Sequence, residues 1–166
     1  ARRTRAVSAH IGRTQGDACI DNLWIPDGMK DVPADRAGYR RQLQKSLEQI
    51  FAVPYPAAET RDALEGKLFG IGSESFVVGS HEFYLAYAAQ HGLMVTLDSG
   101  HYHPTESVAD KVSALLAFFD EVMVHISRGV RWDSDHVVLL NDESRSILEE
   151  VVRSGRMERV HLGLDF

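Results

Sequence analysis

The residues best suited to chemistry lie in the run Val130-Arg131-Trp132-Asp133-Ser134-Asp135-His136. Asp133 and Asp135 are carboxylates one residue apart, with an aromatic before them and an imidazole after. Like charges this close repel unless something positive lies between them, and a divalent cation is the usual answer. The run is not an EF-hand, because Val138 stands at the sixth loop position, where the sharp turn needs glycine. Alone, Asp-x-Asp is more often a solvated loop, so the argument depends on which other residues reach the same place.

The elements that must position them follow from apolar spacing. Ile20–Ile25 reads as a strand closed by the turn signal Pro26-Asp27-Gly28. A helix from about Asp35 carries Tyr39, Leu43, Leu47, Ile50 and Phe51 on one face, and Pro54 and Pro56 end it. Thr60–Glu65 is a weak strand. Ser80–Gln90 is helical with Phe83, Ala86 and Tyr87 on one side and Gly92 as its stop. Strand Leu93–Leu97 ends at Asp98, and Thr105 is the expected N-cap of a helix with the stripe Val108, Val112, Leu115, Leu116 and Phe119. Strand Glu121–Ile126 follows, then a helix from about Asp142 to Ser154 that buries Ile147, Leu148, Val151 and Val152, then strand Arg159–Leu164. Ahead of all this, Arg5–His10 reads as the tail of a helix ended by Gly12.

Four strand–helix units and a fifth strand, apolar on both faces, argue for parallel β/α units. Doubly wound sheets and (β/α)8 barrels both satisfy this pattern. A whole barrel takes about 250 residues, so the chain would supply somewhat over half of one. In a parallel array the carboxyl ends of all strands face one rim. There the sequence places Trp24, then Glu65 and Lys67, then Asp98, His101 and His103, then His125 with Asp133 and Asp135, then Asp165. Glu65, Asp98, His125 and Asp165 are 33, 27 and 40 residues apart, each spacing matching one β/α unit of about 30 or more. With Asp133 and Asp135 the rim would hold five carboxylates, which two divalent ions would compensate. Carboxylates with imidazoles and no thiolate suit manganese, magnesium or a similar ion better than a structural zinc.

Each residue also has a plainer reading. His125 fits a hydrogen-bonded core histidine, Asp165 a helix cap, Glu65 with Lys67 a surface ion pair, and Trp24 a core aromatic. His10, His81 and His91 read as surface residues, and His103, His136 and His161 as partners that orient ligands. Convergence at five successive strand ends is what the plainer readings leave unexplained.

Composition sets the bounds. The 166 residues are 44% hydrophobic and 25% charged with a net charge of −6, so an ordinary globular domain with no broad nucleic-acid face is expected. A single cysteine, Cys19, excludes an intrachain disulfide framework and fits a reducing compartment. No 18-residue apolar run or signal-peptide pattern occurs, so a cytoplasmic protein without a membrane partner is expected. The start at Ala1 and the stop at Asp165-Phe166, just past an apolar strand, suggest a single partial domain over 1–166 cut from a longer protein.

Five runs together look like the L-rhamnose isomerase family: Leu23-Trp24-Ile25-Pro26-Asp27-Gly28-Met29-Lys30-Asp31, Lys67-Leu68-Phe69-Gly70-Ile71-Gly72, Leu97 to Thr105, Val130 to Leu140, and His161-Leu162-Gly163-Leu164-Asp165-Phe166. The resemblance covers nearly the whole chain from about residue 20. It implies an α/β (β/α)8 TIM barrel of the xylose-isomerase-like kind, represented here by about five strands and four connecting helices. It also implies a cytoplasmic, usually tetrameric aldose–ketose isomerase acting on a small sugar. Two divalent ions per full-length subunit are implied, manganese first, with magnesium, cobalt or zinc as alternatives. The structural ion would be held by Glu65, Asp98, His125 and Asp165, and the catalytic one by His101, Asp133 and Asp135. Lys67 and His101 would meet the sugar, with Lys67 near the reacting carbons and Trp24 as an apolar wall. Gly66 and Gly129 depart from the serine and proline expected in some relatives, at positions that touch no ligand. Two rivals remain: an Asp-x-Asp nucleotide-sugar transferase, which makes no use of Glu65, Asp98 or Asp165, and an inactive metal-binding barrel fragment.

Overall fold

A computed structural model of the chain describes residues 1–25, 28–66, 76–103, 105–128 and 137–164. Five parallel strands, β1 (Cys19–Leu23), β2 (Thr60–Glu65), β3 (Met94–Asp98), β4 (Val122–Ile126) and β5 (Val160–Leu164), pair in the order β1-β2-β3-β4-β5. Helix α1 (Arg2–Gln15) precedes β1, and α2 (Arg36–Ile50), α3 (His81–His91), α4 (Val108–Leu116) and α5 (Asp142–Arg153) make the four crossovers. Crossovers are right-handed, so a strand order without a reversal puts every connecting helix on one face. Over the described residues the sheet has no switch point of the kind a doubly wound sheet needs.

The core agrees with this. Leu64, Val95, Leu97, Val122, Val124, Ile126 and Val160 alternate along β2 to β5 and pack with Leu47, Tyr84, Val112 and Ile147 of the helices. Each such side chain fully removed from water contributes about 1.5–3 kcal/mol. Residues of opposite parity, among them Asn22, Glu65, Thr96, Asp98, Met123 and His125, line the other face. No helix among the described residues is long and apolar enough to cross a membrane.

Several boundaries differ from the sequence expectation. α1 runs through Gly12 and ends at Gly16, whose φ of 76° closes the last turn in the left-handed conformation. Gly12 is needed for close approach instead, since a Cβ there would lie 1.9 Å from the Glu59 carbonyl oxygen. The N-cap of α4 is Ser107 rather than Thr105, its hydroxyl accepting from the Asp110 amide. In α3 the buried residues are Tyr84, Tyr87 and Ala88, so Ala86 faces solvent. In α5 Ile147 and Val151 are buried, but Leu148 and Val152 are exposed.

Candidate metal centre

Strand alternation brings Glu65 at the end of β2, Asp98 at the end of β3 and His125 on β4 onto the face opposite the helices. Asp98 and His125 are direct partners in the β3–β4 register. His101 arrives from the tight turn after β3, where its amide donates to the Asp98 carbonyl. The four side chains converge. His101 Nδ1 lies 3.3 Å from Glu65 Oε1 and its Nε2 lies 3.7 Å from Asp98 Oδ2. His125 Nδ1 lies 3.3 Å from Glu65 Oε2 and 3.7 Å from Asp98 Oδ2. Glu65, Asp98 and His101 are only 5%, 2% and 7% exposed.

Carboxylates buried this deeply need compensation. The Gly100 amide and the Ser127 hydroxyl both donate to Asp98 Oδ1 at 2.7 Å, which leaves Oδ2 facing the two imidazoles. Burial pushes the Asp98 carboxyl up, but His125, His101, Ser127 and the Gly100 amide outweigh it and hold the group at about 2. The carboxylates of Asp98 and Glu65 in turn raise His125 to about 10, against burial. His101 Nδ1 also lies 3.2 Å from the Gly66 carbonyl oxygen. The oxygens of Glu65 and Gly66 beside Nδ1 and of Asp98 beside Nε2 are all acceptors, so both ring nitrogens face negative or carbonyl oxygen.

The ligand atoms of Glu65, Asp98 and His101 lie within 4.8 Å of one another. That spread is of the order taken by ligands on opposite sides of one ion, about twice a metal–oxygen bond of 2.0–2.6 Å. Oxygen and imidazole donors with a −2 carboxylate charge from Glu65 and Asp98 fit a divalent cation. Lys67, Asp133, Asp135, Asp165 and His136 lie outside the described residues. Trp24 directly follows β1 and is 36% exposed. His103 Nδ1 bonds the Thr105 hydroxyl at 2.7 Å, and His161 Nε2 bonds Glu121 at 2.7 Å. His10 and His91 are exposed as expected. His81 is half-buried rather than fully at the surface: its Nδ1 is hydrogen-bonded with the Tyr102 hydroxyl at 3.1 Å, and burial followed by the Lys111 charge lowers its pKa.

Sequence reasoning missed the groups behind the ligands. Ser127 and Gly100 serve Asp98, and Gly163 makes room for the His125 ring, since a Cβ there would lie 2.9 Å from His125 Cδ2. Asn22 donates to Glu65 Oε2 and accepts from Thr96. The available signal was alternation: Asn22 and Trp24 share strand parity, as do Thr96 and Asp98. A separate cavity of about 450 Å3, lined in part by Tyr55, Thr60, Arg61, Gly92 and Phe119, opens at the opposite ends of the strands. It contains none of the four converging residues.

The family model described as L-rhamnose isomerase (RhaA) matches residues 1–166. The chain belongs to the L-rhamnose isomerase family. It is 57% identical to the L-rhamnose isomerase of Rhodopirellula baltica over 162 residues, which are 98% of this chain and 38% of that protein. It is 54% identical to the L-rhamnose isomerase of Bacteroides thetaiotaomicron, covering 99% of this chain and 39% of that protein. With that of Pectobacterium carotovorum the identity is 52%, covering 98% and 39%. The chain therefore spans about two fifths of the length of these L-rhamnose isomerases. Among solved structures it is similar to the apo form of 3-keto-D-glucoside 4-epimerase from E. coli, with a TM-score of 0.54, 11% identity, and coverage of 98% of this chain and 62% of that one. That likeness concerns the fold alone.

Proposed function

We propose that the full-length protein is a metal-dependent aldose–ketose isomerase that interconverts L-rhamnose and L-rhamnulose. The observation that carries this is the convergence of Glu65, Asp98, His101 and His125 on one spot at the carboxyl ends of consecutive strands, in a chain of this family. The sequential strand order and polar inner face support a (β/α)8 barrel of the xylose-isomerase-like kind, closed by segments outside 1–166. The resemblance supports a cytoplasmic homotetramer and two manganese ions per subunit.

In this reading Glu65, Asp98 and His125, joined by Asp165, hold the structural ion. His101, with Asp133 and Asp135, holds the catalytic one. Divalent ions held by these residues would supply Lewis acidity for the transfer of hydrogen between C1 and C2 of the sugar. The side chains supply the rest. The Gly66 carbonyl lies against His101 Nδ1 and orients the ring, and Ser127 and Gly100 keep Asp98 ionised and oriented. Lys67 stabilises negative charge developing on a sugar oxygen, and Trp24 forms an apolar wall that excludes water from one side. The nucleotide-sugar-transferase reading leaves the four converging residues without a role.

Ketose formation from L-rhamnose by the full-length protein tests this. Turnover is expected to vanish with chelator, to return with manganese, and to be lost in Asp135→Ala. Undiminished turnover under chelation and in the variant would contradict it.

A further inference from the structure

Glu65 is a buried carboxylate on β2, and the donors facing it are of two kinds. His101 Nδ1 and His125 Nδ1 face one oxygen each at 3.3 Å, and Asn22 Nδ2 donates to Oε2 from β1. The imidazoles belong to the metal-ligand set, so their role toward Glu65 changes when an ion is bound. An amide neither titrates nor binds a divalent ion through its nitrogen. It also compensates the buried carboxylate without adding a positive charge that would repel the cation.

An asparagine can present either end of its amide. Here Thr96, on β3 and in direct register with Glu65, donates its hydroxyl to Asn22 Oδ1 at 2.7 Å. Thr96 is 1% exposed, so no bulk water competes for that hydroxyl. Turning the amide over would set Oδ1 against the Glu65 carboxylate, acceptor against acceptor, and leave Nδ2 on the hydroxyl. Only one orientation satisfies both neighbours. The relay crosses three adjacent strands, and Thr, being β-branched, holds its χ1 firmly in a strand.

We propose that Asn22 is a positioning residue for the metal-binding carboxylate of Glu65, with Thr96 setting the direction of its amide. The inference rests on the metal-centre reading above and names residues that hold the site without touching sugar or ion.

The test is calorimetric titration of manganese alone into the metal-free full-length protein, its Asn22→Leu and Thr96→Val variants, and the double variant, with thermal melting of each metal-free form. Both single variants are expected to lose about 10- to 100-fold in manganese affinity, the range typical of losing a partner behind a ligand. Metal-free melting is expected to fall only by the modest amount that losing one buried hydrogen bond entails. In the double variant Thr96→Val adds no further loss, because it acts through Asn22. If Asn22→Leu does not fold, Thr96→Val alone decides, since its hydroxyl reaches the carboxylate through Asn22. Unchanged affinity in a protein that binds manganese overturns the relay and leaves the metal reading standing. Additive losses that track a fall in metal-free melting also overturn it, by assigning both residues to packing. No manganese binding by the parent overturns the metal reading and the relay with it.

Discussion

At the residue scale the centre is a set of charges that only makes sense together. Asp98 is held at about 2, below its ordinary 3.8, so its contribution to the metal-free fold is complete above 3.8 and is lost as pH falls toward 2. His125 is raised from 6.5 to about 10, so its contribution is complete below 6.5 and is lost as pH rises through about 10. Denaturant melts of chelator-treated full-length protein are therefore expected to show these two groups stabilising most between 3.8 and 6.5. Saturating manganese should remove the alkaline loss, because a ligating imidazole must be neutral. A flat alkaline limb without metal, or one unchanged by His125→Gln, would count against the pairing of His125 with Asp98 and Glu65.

At the element scale the strands are held in place partly by α1. Arg5, at 3% exposure, makes paired bonds to Asp62 at 2.7 and 2.8 Å and donates to the carbonyl oxygens of Ile50 and Val53. Its guanidinium also lies over the rings of Phe51 and Tyr55. One side chain therefore joins α1, the end of α2 and β2, the strand that carries Glu65. Removing one partner of a buried pair costs about 3–5 kcal/mol because the other charge is left uncompensated. Arg5→Ala in the full-length protein is expected to lose that much in urea unfolding, and a loss below about 1 kcal/mol, the range of a surface pair, would contradict the role.

The helices and strands were legible because their apolar periodicity is local: Leu43 and Leu47 of α2, or Val108, Val112 and Leu115 of α4, mark buried faces without any partner in view. So was the strand-end set Glu65, Asp98 and His125, because parallel β/α units align their carboxyl ends by construction. What escaped is set by close approach between distant segments. Gly12 reads as a helix stop until the Glu59 carbonyl is seen against it, and Gly163 as a weak strand residue until the His125 ring is. Asn22 and Thr96 are polar residues in strands, and nothing local says that they meet across β2. His81 looked like a surface residue because its burial depends on Tyr102, 21 positions away.

At the scale of the whole molecule the described strands form one sheet in which β1 and β5 are the edges, and Leu162 and Leu164 of β5 and Leu148 and Val152 of α5 stand exposed. Strand edges and exposed apolar side chains favour self-association. Residues 1–166 expressed alone are expected to elute as soluble aggregates and to form no ketose, as measured by light scattering and a turnover assay. A stable monomer of the isolated chain would show that the β5 side needs no cover.

The central claim is that Glu65 and Asp98, with His125 beside them, hold a divalent ion. Anomalous diffraction at the manganese edge, from crystals of the active full-length protein, tests it most directly. The expected result is a peak bonded to Glu65 and Asp98 on the inner face of the sheet. An active, manganese-loaded enzyme with no peak between those two carboxylates would contradict it.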